Sequence, residues 1–285
     1  MLRNVSKTSV IESVAVAAVV AIALLLQCTV GDIPLAIFAF PLNIAIMVLW
    51  LVIVGVLYKN RSNLAVSKSL LSTRATWLSL GSMVATGICL GLEREPSSTS
   101  WLVVAGILFT LTHLLLITLR GWRTPGGIRW RFTLLHVGLI VALGAGFWGA
   151  PDREQLRVAL VENRPTETAY HINGTATRLD HTITLRSLNA DYNTSGTPTY
   201  FDATLEIENE LVTLRVNHPY NRTFSEKIYL VSVGQSPDNG SPYCVVEIVR
   251  EPWQWLSLTG IVMLLAGAVM LFIRGPRHAA NKHIE

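Results

Sequence analysis

An ionisable side chain is costly inside a hydrocarbon layer, so a histidine within a run long enough to cross one is a candidate for function. His136 stands in such a run, RWRFTLLHVGLIVALGAGFWGAPD, and His113 in another, GILFTLTHLLLITLRGW. Imidazole is the usual protein donor to haem iron. One reading of His136 is therefore an axial haem ligand; the other is a neutral histidine hydrogen-bonded to a neighbouring helix. His113 lies seven residues before Arg120, and His136 six after Trp130. At about 1.5 Å per residue both fall ~10 Å inside one boundary, a depth at which two helices can share a haem or His113 can simply pack. Between them the loop RGWRTPGGIRWR brings Arg120, Arg123, Arg129 and Arg131 to that boundary. Guanidinium groups suit haem propionates, and loop charge that sets membrane orientation accounts for them equally.

Other chemistries find no support. His171, His181 and His218 match no zinc spacing, there is no GxSxG elbow, and TPGGI lacks the lysine of a phosphate-binding loop. Cys28, Cys89 and Cys244 form no CxxC and read as small, buried, unreactive side chains.

The elements that must position the histidines follow from composition. In 285 residues, 51% are hydrophobic, 15% are charged and the mean hydropathy is +0.43, with the apolar residues gathered in blocks; this is an integral membrane protein. The net charge of +4 is spread between those blocks, which excludes a nucleic-acid-binding face. Six stretches qualify as spans: 12–30, read as a retained signal anchor, 33–57, 76–92, 101–119, 131–149 and 253–273. Arg3 and Lys7, then Lys59, Arg61, Lys68 and Arg74, then the arginine loop, then Arg274, Arg277 and Lys282 all fall on one side. The other side has GDIP, and LEREPSSTSW with Arg94 between Glu93 and Glu95. By the positive-inside rule both termini are cytoplasmic and residues 150–252 face outward. Pro41 and Asn43 predict a kink in the second span, and Gly81, Gly87 and Gly91, with Ala142, Ala145, Gly146 and Gly149, predict close helix packing.

Residues 150–252 are β-rich. LRVALV, HTITLRSL, YFDATLEI, LVTLRV, KIYLVSV and YCVVEIV alternate or are β-branched and are broken by turn-formers, which predicts a compact antiparallel sandwich or barrel-like domain. Three glycosylation sequons, at Asn173, Asn193 and Asn221, are read as chance turn residues. The organisation is thus a five-span region 1–149, an extracytoplasmic β-rich domain 150–252 inserted before the last helix 253–274, and a cytoplasmic tail 275–285.

At this point a likeness emerges. A histidine-glycine pair in the span before the domain, His136 and Gly138, is followed by Val216, Asn217 and Pro219 with Tyr229 shortly after. Glu251 and Pro252 then lead into a last span with Gly260 and Gly267. This order over residues 130–274 resembles the ResB/CcsB proteins of cytochrome c biogenesis. The resemblance implies a bacterial cytoplasmic-membrane subunit that binds haem b, with His136 similar to a ligand of the intramembrane haem and its second ligand from a CcsA-type partner. It implies delivery of haem to apocytochrome c. The chain departs from the common pattern in having five spans before the domain, where three are usual, and in lacking a WGxxWxWD run; Trp148, Trp253 and Trp255 are isolated. An accessory, non-catalytic subunit of a holocytochrome c synthase is therefore the expectation. A structural anchor or docking protein with no haem role is the alternative. A transporter finds neither acidic residues in the spans nor an inverted repeat.

Overall fold

The computed structural model describes residues 7–92, 98–193, 198–235 and 241–274. Arg3, the Glu93–Arg94–Glu95 loop, Thr194 and Ser195 of one sequon, and the tail 275–285 with Arg277 and Lys282 lie outside them. The chain forms two compact units, Met1–Pro151 with Leu256–Glu285, and Asp152–Trp255.

The first unit is helical: α1 (Lys7–Val30), α2 (Leu42–Lys59), α3 (Ala65–Leu70), α4 (Thr73–Leu92), α5 (Trp101–Gly121), α6 (Trp130–Gly149) and α7 (Gln254–Arg274). Among the described residues five helices, α2, α4, α5, α6 and α7, are long and apolar enough to cross a membrane, and α1 adds a shorter apolar part, Val16–Val30. Short pairings join the connections: β1 (Ile33–Pro34) pairs with β2 (Ser98–Thr99), and β3 (Arg123–Thr124) with β4 (Gly127–Ile128).

The expected span 33–57 is shorter than its apolar run. Residues 33–41 form β1 and a 3-10 turn, Leu35–Phe38, and α2 begins only after Pro41. Proline has no N–H and fits the start of a helix, so Pro41 sets an end where a kink was expected. Asn43 is buried, and its Nδ2 donates to the Trp148 carbonyl at the far end of α6 over 2.9 Å. Losing a buried amide that satisfies a backbone carbonyl costs about 1–3 kcal/mol. Asn43→Ala should accordingly lower the thermal midpoint of the detergent-solubilised chain, and an unchanged melting curve would show that this bond does not hold α2 to α6.

The glycines of α4 also differ from expectation. A Cβ at Gly81, Gly87 or Gly91 would meet no described neighbour. The packing face is instead Ser79, Ser82 and Thr86, at helical spacing, against Gly106 and Thr110 of α5: the Ser82 hydroxyl donates to the Gly106 carbonyl over 3.3 Å. Cys28 is exposed on α1 and Cys89 half-buried on α4, contrary to the buried reading, while Cys244 is buried as expected.

The second unit is one antiparallel sheet. Its strands are β5 (Glu154–Val161), β6 (Thr166–His171), β7 (Ala176–Tyr192), β8 (Pro198–Ile207), β9 (Glu210–Arg215), β10 (Tyr220–Thr223), β11 (Glu226–Gln235) and β12 (Pro242–Arg250), in the order β10-β11-β12-β5-β6-β7-β8-β9. Only Val216–Pro219 separates the two edge strands, β9 and β10. Seven strand spacings of about 4.8 Å would set the edges of a flat sheet ~34 Å apart. Five chain steps reach no more than about 18 Å. The sheet must therefore curl, and β11 packs on β8 and β9 across the interior. Alternation supplies that interior: Leu156, Val158 and Leu160 of β5, Leu205 of β8, Ile228 of β11, and Cys244 and Val246 of β12 are buried. Burial pushes the Cys244 thiol up to about 12, which leaves it unreactive at neutral pH.

Candidate functional site

The site is built from α6 and its approach. Arg129 caps the helix as the chain leaves the β3–β4 turn, and its backbone N–H donates to the Trp122 carbonyl over 2.9 Å. Its guanidinium lies 4.7 Å from the centre of the Phe132 ring. One helical turn on, that ring stacks on His136 with centroids 3.8 Å apart. The spacing Arg129, Phe132, His136 is i, i+3, i+7, so the three side chains form one ladder along a single face. Room for the phenyl ring comes from Gly121 at the end of α5, where a Cβ would lie 2.7 Å from the Phe132 ring tip.

The His136 Nδ1 is 2.8 Å from the Phe132 carbonyl. A carbonyl oxygen only accepts, so Nδ1 carries a proton, and in the neutral ring Nε2 presents its lone pair. A backbone carbonyl holding one imidazole nitrogen is the arrangement that orients a metal-ligating histidine and raises its basicity. The ring is half-buried. His113 has the same tautomer in a different place: its Nδ1 is 2.7 Å from the Leu70 carbonyl of α3, the residue is 3% exposed, and its Nε2 is buried with no partner among the described residues. Its flat neighbour is Phe109, 6.4 Å between centroids. The two imidazoles thus have separate surroundings, one tied to its own helix and the other to α3.

The arginines divide in the same way. Arg120 donates to the Leu71 carbonyl over 3.1 Å, and Arg129 to the Gly121 carbonyl over 3.2 Å, so both help to close the helix ends around them. Arg123 is exposed and Arg131 half-exposed.

Gly138, two residues past His136, points the opposite way round the helix. A Cβ there would lie 2.8 Å from the Gly260 carbonyl and 2.8 Å from the Leu264 nitrogen of α7. A Cβ on Gly260 would be 2.4 Å from the Ala142 nitrogen, and one on Gly267 would be 2.9 Å from the Leu135 side chain. The motif glycines of the two helices therefore make one backbone-to-backbone seam, and His136 lies on the other side of α6 from it.

In the sheet, Asn217 has a φ of 62°, a left-handed conformation that asparagine tolerates well, and the His218 N–H donates to the Arg215 carbonyl over 3.0 Å. With Pro219 behind it, this corner joins the two sheet edges. Tyr229 opposes Glu247 in the ladder between two core residues, Ile228 and Leu230, so its side chain is on the outer face.

Residues 128–242 match the ResB-like family. The ResB-like stretch takes in His136, Gly138, strands β5 to β11 and the Asn217 corner. The likeness read from the sequence stands for that stretch and suggests a role in cytochrome c biogenesis, and five helices long and apolar enough to cross a membrane accompany it. Gly260 and Gly267 fall beyond the ResB-like match, yet they complete the seam with Gly138 and Leu135. No curated protein matches the chain.

Sequence reasoning missed two residues of this region. Phe132 was marked only by its i, i+4 spacing to a histidine in FTLLH, which is an aromatic pair as often as a site. Asn43 was read as part of a kink because its partner is 105 positions away.

One charged cluster sits at the sheet's base. Arg222 and Arg250 both grip Glu226, and both also bind Asp180, over 2.9 Å and 3.0 Å. Burial opposes ionisation of Glu226, but the two guanidinium groups hold its carboxyl below the usual carboxylate range. Asp180, working against its own slight desolvation, is held at about 2 by hydrogen bonds from His181 and Arg222. A depressed carboxylate stabilises the fold above its unfolded value near pH 4, and that contribution disappears as pH falls toward about 2. Because the Asp180 side chain is 60% exposed, screening limits the gain to on the order of 1 kcal/mol. Asp180→Asn should lower the thermal midpoint at pH 7 and cost progressively less below pH 4; an equal cost at pH 7 and pH 2.5 would refute the pairing.

Proposed function

We propose that this ResB-like chain holds haem b in the membrane through the Nε2 of His136 and helps a CcsA-type partner deliver it to the CxxCH cysteines of apocytochrome c. The observation that supports this most is the placement of the His136 ring: Nδ1 is bonded to the Phe132 carbonyl, which directs Nε2, the nitrogen available to a metal, away from it on a half-buried side chain. Haem is cargo here, and the donor chemistry fits it. His113 fits less well, because a ring 3% exposed has no open edge for a porphyrin. The second axial ligand then comes from the partner.

In this reading the haem enters from the cytoplasmic side, where the Arg129–Phe132 stack borders the histidine and the loop arginines Arg120, Arg123, Arg129 and Arg131 can meet the propionates. The chain lies in the bacterial cytoplasmic membrane with both termini cytoplasmic and the β-sheet unit outside. It supplies no bond-making residue to thioether formation and is an accessory subunit. Co-purification with a CcsA-type partner tests this: the complex should show low-spin haem bands that sharpen on reduction. A haem-free complex, together with normal cytochrome c maturation after deletion of the chain, would favour the structural-anchor reading instead.

A further inference from the structure

The two ends of the sheet unit are chemically unlike. Its chain links are at one end. There the Trp253 indole donates to Asp152 over 2.7 Å, Arg153 pairs with Glu251 over 3.1 Å, and Glu154 opposes Arg250 in the ladder. The residues leading out of β12 and those leading into β5 are thus zipped together, and α7 starts at Gln254. Register places three hairpin turns at this same end, of which the polar Glu208–Asn209 turn between β8 and β9 pairs through Glu208 with Arg222. Tyr170 opposes Ala176, so Ile172–Thr175 turns beside the start of β5, where Leu156 opposes His171. Thr223 opposes Glu226, which in turn opposes Arg250, so Phe224 and Ser225 turn beside the end of β12.

The tips of the other two turns are apolar and open to solvent: Ile172 is 61% exposed and Phe224 58%. Phe224 is held there by its backbone. The Glu251 N–H donates to the Ser225 carbonyl over 2.7 Å, and the Gln254 amide, with its oxygen and nitrogen exchanged to suit its neighbours, donates to the Phe224 carbonyl and accepts from the Lys227 ammonium. Trp255, 58% exposed, and Trp253 belong to the same end. At the opposite end the described connections are ENRP, between β5 and β6, and VNHP, between β9 and β10. Tyr200, Leu211 and Val231 are also exposed, but they lie within strands.

We infer that the Ile172 and Phe224 turns dip into the headgroup layer of the lipid bilayer and hold the sheet unit down on its surface. A water-facing turn gains nothing from a phenylalanine or isoleucine at its tip, whereas the interfacial zone favours aromatic and aliphatic side chains flanked by tryptophan. The chain entering α7 within a few residues of Phe224 keeps this end within reach of that zone. The inference needs α6 and α7 to cross a bilayer and is independent of haem.

The test uses the full chain in phosphatidylglycerol/phosphatidylcholine nanodiscs without partner, in a Cys28→Ser, Cys89→Ser background. An environment-sensitive fluorophore is attached at Phe224→Cys, at Ile172→Cys, or at Arg164→Cys on the polar end. Blue-shifted emission and quenching by spin-labelled lipid at 172 and 224, with neither at 164, is expected. Equal, water-like emission at all three sites overturns the inference. So does shielding at 172 and 224 that arises only after the CcsA-type partner is added, which would make these turns a protein-docking surface. The double substitution Ile172→Ser, Phe224→Ser, made in the same background, gives a second readout: fluorophore on Lys227→Cys should become several-fold more accessible to an aqueous quencher, and no change would count against lipid contact.

Discussion

His136→Ala should strip haem from the complex, lowering the haem-to-protein ratio at least about tenfold, a loss of ~1.4 kcal/mol or more in binding. In the proposed reading the substitution removes the ligating imidazole, while alanine leaves the α6 backbone and the Gly138 seam intact. The control is His113→Ala, which should keep haem content near the parent level, because that ring is bonded to Leu70 and closed in by its neighbours. Added free imidazole should restore part of the spectrum to His136→Ala, since the vacated volume is that of the lost ring. Phe132→Leu should act differently: the backbone carbonyl that orients Nδ1 remains while the stacked ring is lost, so haem is retained more weakly. Spectra of the purified complexes, with haem extracted and counted, read all four. Full haem content in His136→Ala would end the ligand role.

Gly138→Leu should have the second large effect, on assembly. Backbone atoms of α7 already lie 2.8 Å from where the first added carbon would go, so no rotamer escapes the clash and the helices must part. Overpacking of a fitted interface costs about 1–3 kcal/mol, and here backbone rather than flexible side chain must give way. Because α6 and α7 lead directly into and out of the sheet unit, their separation strains both links at once. We expect a sharp fall in detergent-resistant folded protein for Gly138→Leu and for Gly260→Leu, with Gly146→Leu as the neutral comparison, since a Cβ at Gly146 meets no described neighbour. Thermal unfolding monitored by fluorescence of the eight tryptophans checks it. Equal midpoints for Gly138→Leu and Gly146→Leu would refute the seam.

What the sequence made legible is governed by whether a residue's role is local. The helices that span, the six strand runs and the position of His136 follow from hydropathy and alternation, which act over one element. β6 and β10 escaped notice: TETAYH is polar on both faces until paired, and YNRT is too short for a pattern. The glycines show the same limit. Gly81 and Gly138 look alike in sequence, and only the position of α7 tells that one faces open space and the other a backbone carbonyl. The Asn217–Pro219 corner was visible as a motif, but its task of joining opposite edges of a curled sheet depends on strand order, which the sequence does not print. Proline at 41 was read as a fault in a helix because the apolar run continues through it; the chain uses it as the helix start. The histidine's tautomer required the distance to Phe132, one turn back.

The most direct measurement is pulsed electron paramagnetic resonance on the oxidised complex, with histidine nitrogen-15 introduced only into this chain. Strong coupling of the low-spin iron to a labelled nitrogen is predicted for the parent and for His113→Ala, and its loss is predicted for His136→Ala. Coupling that survives in His136→Ala, or iron that senses no labelled nitrogen in the parent, would contradict the account.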